Sequence, residues 1–203
     1  MQSAVTGRAL PILGGALCVD FVNTVDPRFG PNQEEFLPDF RALVEWSRYV
    51  GITTAKEADG YLATASSGAA AEIHQRGHAL REALFDLFRP HREDRDLRPS
   101  LVVLSNEFQL AANELELGWA PEELQLIPTA DDQPANLLWA ITRSALDLFA
   151  SPNLRLVREC EGADCGWLFL DTSKAHRRRW CSMAICGNRA KARRHRERAR
   201  RRA

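Results

Sequence analysis

Apolar residues recur at spacings of three and four in four stretches of the chain. These stripes are Phe40, Leu43, Val44 and Val50; Ile73, Leu80, Leu84 and Phe88; Leu101, Leu104, Phe108 and Leu115; and Leu138, Ile141, Ala145 and Leu148. Such spacing places each set on one face of a helix, so it predicts helices over about 40–50, 69–88 and 99–117, and a fourth within 134–152. Because each apolar face needs a partner, we expect a bundle-like core.

Strand signals are short by comparison. Residues 124–126 alternate just before Pro128, residues 154–156 alternate in the run towards Cys160, and residues 166–171 are apolar and bounded by turn formers. The segments that we expect to form loops are 26–39, 63–71 and 128–134. The pattern therefore predicts a mainly α fold, with a multihelical N-terminal domain that contains short strands.

The composition is that of a globular protein. The chain has 203 residues, of which 45% are hydrophobic and 27% charged, so it can bury a sizeable core. No apolar run approaches the eighteen or so residues that a membrane span needs, and the first residues lack the pattern of a secretion signal. We therefore expect a cytoplasmic, reducing setting and no membrane partner. In that setting clustered cysteines indicate metal binding or catalysis before disulfides.

The charge is distributed unevenly although the net charge is zero. From Cys160 onward there are thirteen basic and four acidic residues, which gives +9, while the first 159 residues have 14 basic and 23 acidic residues, which gives −9. A basic module behind an acidic body is typical of a protein that binds a polyanion. Alternatively, the basic end keeps the protein in solution or docks on its own acidic body.

Four of the five cysteines fall late in the chain and in pairs. Cys160 and Cys165 are separated by four residues, as are Cys181 and Cys186, with fifteen residues between the pairs. Two short loops that each carry two thiolates are a usual way to surround Zn²⁺ with a tetrahedron. We predict one structural zinc ion, because an all-cysteine set leaves no open position for catalysis.

The order of elements around these cysteines is that of a treble-clef-like zinc finger. An apolar hairpin candidate, residues 167–170, lies between the pairs, and an Ala-, Arg- and Lys-rich run that favours helix follows the second pair. We expect Gly187 to take a positive φ and Asn188 to cap this helix. We also expect the finger to fold on its metal independently of the body.

The basic helix is the candidate nucleic-acid reader. Arg189, Arg193, Arg196 and Arg200 form one stripe along it, and it has no apolar stripe with which to pack on the body. No aromatic residue follows Trp180, which favours duplex DNA over stacked single strands. Some cations near the metal can instead offset the charge of the thiolates. The residues that we expect to contact nucleic acid are Arg177, Arg178, Arg179, Asn188, Arg189, Lys191, Arg193, Arg194 and Arg196.

Two stretches resemble a known pair of domains. The C-terminal stretch resembles the CGNR zinc finger through the motifs CEGADCGWLFLDTS (160–173), RRWCSM (178–183) and CGNRAK (186–191). The N-terminal stretch GGALCVDFVNT (14–24) resembles the opening of the ABATE domain. The resemblance implies a bacterial stress-induced transcription regulator, with a multihelical ABATE-like domain over 1–150 and a DNA-binding finger with a basic tail over 151–203.

Several other readings remain open. Asp20, Asn23 and Thr24 either line a ligand pocket or cap a helix and anchor the following loop, and we favour the second. His74 and His78 have the spacing of a metal-binding pair without a third ligand, and Cys18 has the surroundings of a buried small hydrophobe.

The function also has alternatives. We favour a DNA-binding regulator that is not an enzyme, whose body senses a small-molecule effector or forms a homodimer. RNA binding by the same finger is the second hypothesis. An enzyme with its site near Asp20 and Asn23 is the third, although no nucleophile or phosphate-binding motif supports it.

Overall fold

The computed structural model describes residues 10–90, 95–120, 123–129 and 133–201. Within these ranges the helices are α1 (Leu17–Val22), α2 (Phe40–Tyr49), α3 (Ala55–Thr64), α4 (Ser67–Phe88), α5 (Arg98–Asn113), α6 (Asn136–Ala150) and α7 (Asn188–Arg200). The strands are β1 (Val25–Asp26), β2 (Glu34–Glu35), β3 (Leu115–Ala120), β4 (Glu123–Pro128), β5 (Val157–Glu159) and β6 (Leu168–Leu170). They pair in order as three antiparallel hairpins.

The predicted mainly α fold with short strands and a small cysteine-rich module is confirmed. The four apolar stripes correspond to α2, α4, α5 and α6. A 3₁₀ turn, Pro152–Leu156, and a π-helical turn, Met183–Gly187, lie on either side of the hairpin β5–β6. Within the described ranges, no helix combines the length and the apolar character that crossing a membrane requires.

Three local predictions were wrong. The helix expected over 99–117 ends at Asn113, and its last residues belong to β3. Most of the loop expected over 63–71 is helical, because Ser66 accepts a hydrogen bond from the amide of Ala69 and starts α4 there. Residues 154–156 lie in the 3₁₀ turn and not in a strand, since Pro152 favours the first position of a helical turn.

The body is organised around α4, which is the longest helix of the described chain. It packs on α1, α2, α5 and α6, and its inward side buries Ile73, Leu80, Leu84, Leu87 and Phe88. The short helix α1 is buried along most of its length between α4 and α6. Burial of a large apolar side chain contributes about 1.5–3 kcal/mol, so α4 anchors the body.

The core of the body continues without a break into the C-terminal segment. Trp167, Leu168 and Phe169 belong to the same hydrophobic cluster as the inward side chains of α1 and α4. The buried side chain of Asn23 clamps β6 to the end of α1, because its Nδ2 donates to the carbonyl of Leu168 at 2.8 Å and its Oδ1 accepts from the amide of Leu168 at 2.9 Å. The finger therefore packs on the body as part of one core.

A second junction lies at residues 25–29, which we call the strap. The amide of Arg28 donates to the carbonyl of Cys165 at 2.8 Å, and the amide of Phe29 donates to that of Asp164 at 3.0 Å. The indole nitrogen of Trp167 donates to the carbonyl of Val25 at 2.9 Å. We expected the finger to fold independently of the body. In the structure, the strap and Asn23 instead join the finger to the body through hydrogen bonds.

Asn23→Ala should destabilise the whole chain, because it leaves the buried amide and carbonyl of Leu168 without their side-chain partner. We expect a loss of about 2–4 kcal/mol in the free energy of unfolding. Urea denaturation of the zinc-loaded protein measures this loss. Asn106→Ala on the exposed side of α5 is the control and should stay within about 0.5 kcal/mol. Equal effects of the two substitutions would contradict the clamp.

Candidate metal centre and nucleic-acid interface

The first pair of cysteines lies in the loop that joins β5 to β6. The two strands pair antiparallel, with Val157 opposite Leu170 and Glu159 opposite Leu168. The hairpin therefore flanks the first pair, whereas the sequence placed a hairpin candidate between the two pairs. The amide of Cys160 donates to the carbonyl of Trp167 at 2.8 Å and extends the ladder to the first ligand.

Backbone conformation turns this loop sharply enough to bring both sulfurs to the same side. Asp164 has a φ of 66° and Gly166 a φ of 63°, both in the left-handed region. At Gly166 a side chain is also excluded by space, since an added Cβ would lie 2.4 Å from Cε2 of Phe29 in the strap. Glycine at 166 therefore permits both the turn and the close approach of the strap.

The second pair enters from the other side of the centre. Cys181 follows Trp180, and Cys186 lies in the π-helical turn that leads directly into α7. The expected positive φ of Gly187 was wrong, because its φ is −61°. An added Cβ at Gly187 would instead lie 2.4 Å from the sulfur of Met183, a flexible and exposed side chain that would have to move away.

The four sulfurs meet at one point. One ligand atom from each of Cys160, Cys165, Cys181 and Cys186 lies within 4.8 Å of the others, and all four residues are buried. The Sγ–Sγ distance is 3.8 Å from Cys165 to Cys181 and 3.7 Å from Cys181 to Cys186. A tetrahedron with Zn–S bonds of about 2.3 Å has an edge of about 3.8 Å, so the spacing fits a zinc ion.

Without a metal the four thiols share their protons, and hydrogen bonds to Cys160 raise the pKa of Cys165 and Cys181. Hydrogen bonds from the thiols of Cys165, Cys181 and Cys186 hold the pKa of Cys160 well below its usual range, although burial opposes this shift. The backbone amides of Gly162 and Cys181 also point at the sulfur of Cys160, at 3.4 and 3.3 Å. Zinc binds thiolates and releases their protons, so amides that point at the sulfur of Cys160 stabilise the zinc-bound form of the centre.

Asp171 holds the segment between the two pairs, and the sequence analysis did not single it out. Its buried carboxylate accepts from the amide and hydroxyl of Ser173, at 3.1 and 2.6 Å, and from the amide of Arg178 at 2.8 Å. Burial raises the pKa of Asp171, but these hydrogen bonds outweigh burial and lower it overall. The sequence Asp-Thr-Ser, typical of an Asx turn, was the available signal.

The three arginines at 177–179 have different surroundings. The guanidinium of Arg178 donates to the carbonyls of Trp180, at 2.9 Å, and Cys181, and it lies 4.3 Å from the ring centre of Phe169. The guanidinium of Arg179 pairs with Glu161, while Arg177 is exposed and has no ion pair within the described chain. Arg178 therefore supports the second pair of cysteines, and Arg177 is free to contact a ligand.

Helix α7 presents almost all of its cations to solvent. Ala190 is its one buried residue, and Arg193 approaches Glu197 at 3.9 Å. Arg189, Arg193 and Arg196 share one face and line a cavity of about 250 Å³ with Gly162 and Ala163 of the first loop. We call this cavity the basic cleft. The remaining predicted cations of the helix, Lys191 and Arg194, lie outside the basic cleft and are exposed.

Asn188 does not cap α7 as the sequence suggested. It is the first residue of the helix, and its Nδ2 donates to the carbonyl of Ala184 at 3.2 Å. This bond links the π-helical turn to α7, which begins two residues after the ligand Cys186. The predicted contact between Asn188 and nucleic acid remains a prediction.

The three polar residues of the proposed N-terminal pocket are buried and hydrogen-bonded. The carboxylate of Asp20 accepts from the amides of Leu13 and Gly14 at 2.9 and 2.6 Å; burial raises its pKa and these bonds oppose the rise. Thr24 donates to the carbonyl of Phe21 at 2.8 Å, and Asn23 is the clamp on β6. All three therefore hold backbone segments in place.

His74, His78 and Cys18, the other residues considered for chemistry, have contacts typical of structural residues. The Nε2 atoms of His74 and His78 both lie 2.9 Å from the carbonyl oxygen of Leu37. Burial raises the pKa of Cys18 to about 12, which makes this thiol a poor nucleophile. Among the described residues, the four late cysteines are the one group of three or more side chains placed to hold a metal ion.

Purified protein should contain one zinc ion per chain. Cys160→Ser should lose the metal, and it should also lower the melting temperature of the body's helices, because Trp167 to Phe169 belong to the shared core. Metal analysis and thermal unfolding followed by circular dichroism measure both effects. Cys18→Ser is the control, which removes a buried thiol outside the centre and should keep the zinc.

Less than half an equivalent of zinc in the unmodified protein would refute the site. An unchanged melting temperature of the body in Cys160→Ser would show that the finger and the body unfold separately.

Comparison with protein-family models gives two matches that together span most of the chain. Residues 156–199 match the model described as "CGNR zinc finger". Residues 15–152 match the ABATE model, described as "Putative stress-induced transcription regulator". A comparison with curated proteins gave no match. The four close cysteines within the matched finger confirm the prediction of one structural zinc ion. The chain belongs to the ABATE family and contains a CGNR zinc finger.

Proposed function

We propose that the protein regulates transcription by binding duplex DNA through the basic cleft and its surroundings. The observation that carries this proposal is the position of Arg189, Arg193 and Arg196 on one face of α7, beside the first zinc-binding loop. Arginine forms bidentate contacts to phosphate and to the edge of guanine. A cationic face built against a metal centre is suited to both contacts.

The charge of the two parts supports the same division of labour. We assign DNA binding to the finger, residues 151–203, and regulation to the body, residues 1–150. The stretch from Cys160 onward carries +9 and the remainder −9, so the body repels phosphate and leaves the finger to approach it. Binding, and not catalysis, is then the activity of the protein.

The position of a residue along α7 decides whether it can contact bases in a fixed geometry or only attract phosphate. Arg189 lies three residues after the ligand Cys186, so the metal centre fixes the start of its helical turn. The far end of a short, exposed helix frays, so Arg200 contributes charge without a fixed geometry. We therefore assign base contacts to Arg189 and phosphate contacts to Arg193 and Arg196, with Arg177 approaching from the second side of the centre.

We also propose that the body takes a small-molecule effector in the cavity under the strap. This open cavity of about 620 Å³ is lined by Arg28, Phe29, Gln33, Glu82 and Phe85, among others. The guanidinium of Arg28 lies 3.8 Å from the ring centre of Phe85 and pairs with both oxygens of Glu82. An apolar wall beside paired charges suits a ligand that has an apolar part and a hydrogen-bonding group.

The strap gives such a ligand a route to the finger. Arg28 and Phe29 line the cavity with their side chains, while their amides bind the carbonyls of Cys165 and Asp164. A ligand that displaces either side chain changes the backbone contact to the first zinc-binding loop. The effector would thus alter DNA binding through two consecutive residues.

DNA binding should depend strongly on salt and on one face of α7. About five phosphate contacts give a slope near −4.5 in a plot of log K against log salt concentration. Replacing Arg189, Arg193 and Arg196 together by Gln should weaken binding and flatten the slope by about two units, because the phosphate contacts of Arg193 and Arg196 are lost. Fluorescence anisotropy with duplex DNA at several salt concentrations measures the slope.

The control removes the same charge from the opposite face. Lys191, Arg194 and Arg198 lie on the far side of α7, and their joint replacement by Gln should leave most of the slope intact. Equal losses in both variants would reduce the contact to general charge attraction. A slope near zero would exclude nucleic acid, and tighter binding to structured RNA than to duplex DNA would favour the RNA hypothesis.

The effector site can be tested without a known ligand. A thermal-shift screen of small molecules should yield compounds that raise the melting temperature, and Phe29→Ala should remove that shift because the apolar wall is lost. Phe108→Ala, which truncates an exposed ring on α5, should keep the shift. Shifts that persist in Phe29→Ala would place the ligand elsewhere.

A further inference from the structure

The hairpin β3–β4 has an apolar face that is turned to solvent. Leu117 pairs with Leu126 across the two strands, and Trp119 pairs with Leu124. Residues that pair directly lie on the same face of a hairpin, so these four side chains form one surface. Their exposed fractions are 68% for Leu117, 44% for Leu126, 81% for Trp119 and 56% for Leu124. We call this surface the hairpin face.

No other part of the described chain covers the hairpin face. β3 and β4 contact each other closely, and no described helix or further strand packs extensively on either of them. A two-stranded hairpin is marginally stable in water unless a further element covers its apolar side. The hairpin therefore has a surface whose burial would stabilise it, and the cover has to come from outside the described chain.

We propose that the hairpin face of one chain packs on the hairpin face of a second copy, which makes the protein a two-fold symmetric dimer. A two-fold axis brings identical surfaces together, so each apolar face would be covered by the same face of its partner. This inference does not depend on the proposed DNA binding, because the hairpin lies outside the finger.

The area of the hairpin face reaches the lower limit for a specific interface. With roughly 200 Å² for a fully exposed large apolar side chain, the four side chains expose about 500 Å². Two such faces would bury about 1,000 Å² in total, which is the smallest area expected of a biological interface.

Charge also favours a second copy over a charged partner. The side chains of the hairpin face are uncharged, whereas Glu116 pairs with Ile127 on the opposite side of the hairpin. Two identical faces can therefore meet without like-charge repulsion. Nucleic acid or a strongly charged peptide would find no charged partner on this surface.

Sedimentation analysis of the full zinc-loaded chain at about 1–100 µM tests the dimer. We expect the unmodified protein to be dimeric and Trp119→Glu to raise the dissociation constant of the dimer more than tenfold, because a large buried aromatic residue contributes strongly to an interface. The matched control is Val102→Glu, which introduces the same charge at an exposed apolar position of α5 and should leave the dimer intact.

Zinc content and the helical signal verify that each variant is folded, and Leu117→Ser is the milder replacement if Trp119→Glu fails that check. A monomer at every concentration overturns the proposal. The proposal is also overturned if Trp119→Glu and Leu117→Ser leave the dimer unchanged. It is overturned as well if Val102→Glu weakens the dimer as much as Trp119→Glu does. DNA binding measured on the same variants is a separate result, since a dimer without DNA binding refutes only the proposed function.

Discussion

Four sulfurs have to occupy the corners of one small tetrahedron, and the positions of the C-terminal elements follow from this requirement. Cys160 and Cys165 can reach it only if β5 and β6 pair and the loop between them turns back through Asp164 and Gly166. Cys186 can reach it only from the start of α7. The metal therefore fixes the angle at which the basic helix leaves the finger, which local helix propensity does not specify.

The finger packs on the body because it is too small to bury its own apolar residues. Trp167, Leu168 and Phe169 follow the first pair of cysteines, and their side chains enter the hydrophobic cluster of α1 and α4. Burial of three such residues contributes about 5–9 kcal/mol, and binding of a structural zinc ion contributes about 10–16 kcal/mol in zinc-finger peptides. Metal binding and body packing thus stabilise the same segment from opposite sides.

Sequence patterns predicted the features that depend on the spacing of residues along the chain. The cysteine pairs gave the metal and its ligands, and the apolar stripes gave α2, α4 and α6. Helix α3 was missed because only Ala58 and Tyr61 of its ten residues are buried, which leaves no clear stripe. The sequence also did not predict that Arg178 binds backbone carbonyls while its neighbour Arg177 is exposed. Their surroundings depend on chain segments brought together by the metal, which spacing along the sequence does not encode.

The junction between the two parts is made largely to backbone atoms of the finger. Asn23 binds the amide and carbonyl of Leu168, and the strap binds the carbonyls of Cys165 and Asp164. Every amino acid except proline offers the same backbone groups, so substitutions on the outer surface of the finger leave these bonds in place. The exposed arginines of α7 can accordingly change, and the surface that they form can change with them, while the body and its attachment to the finger stay the same.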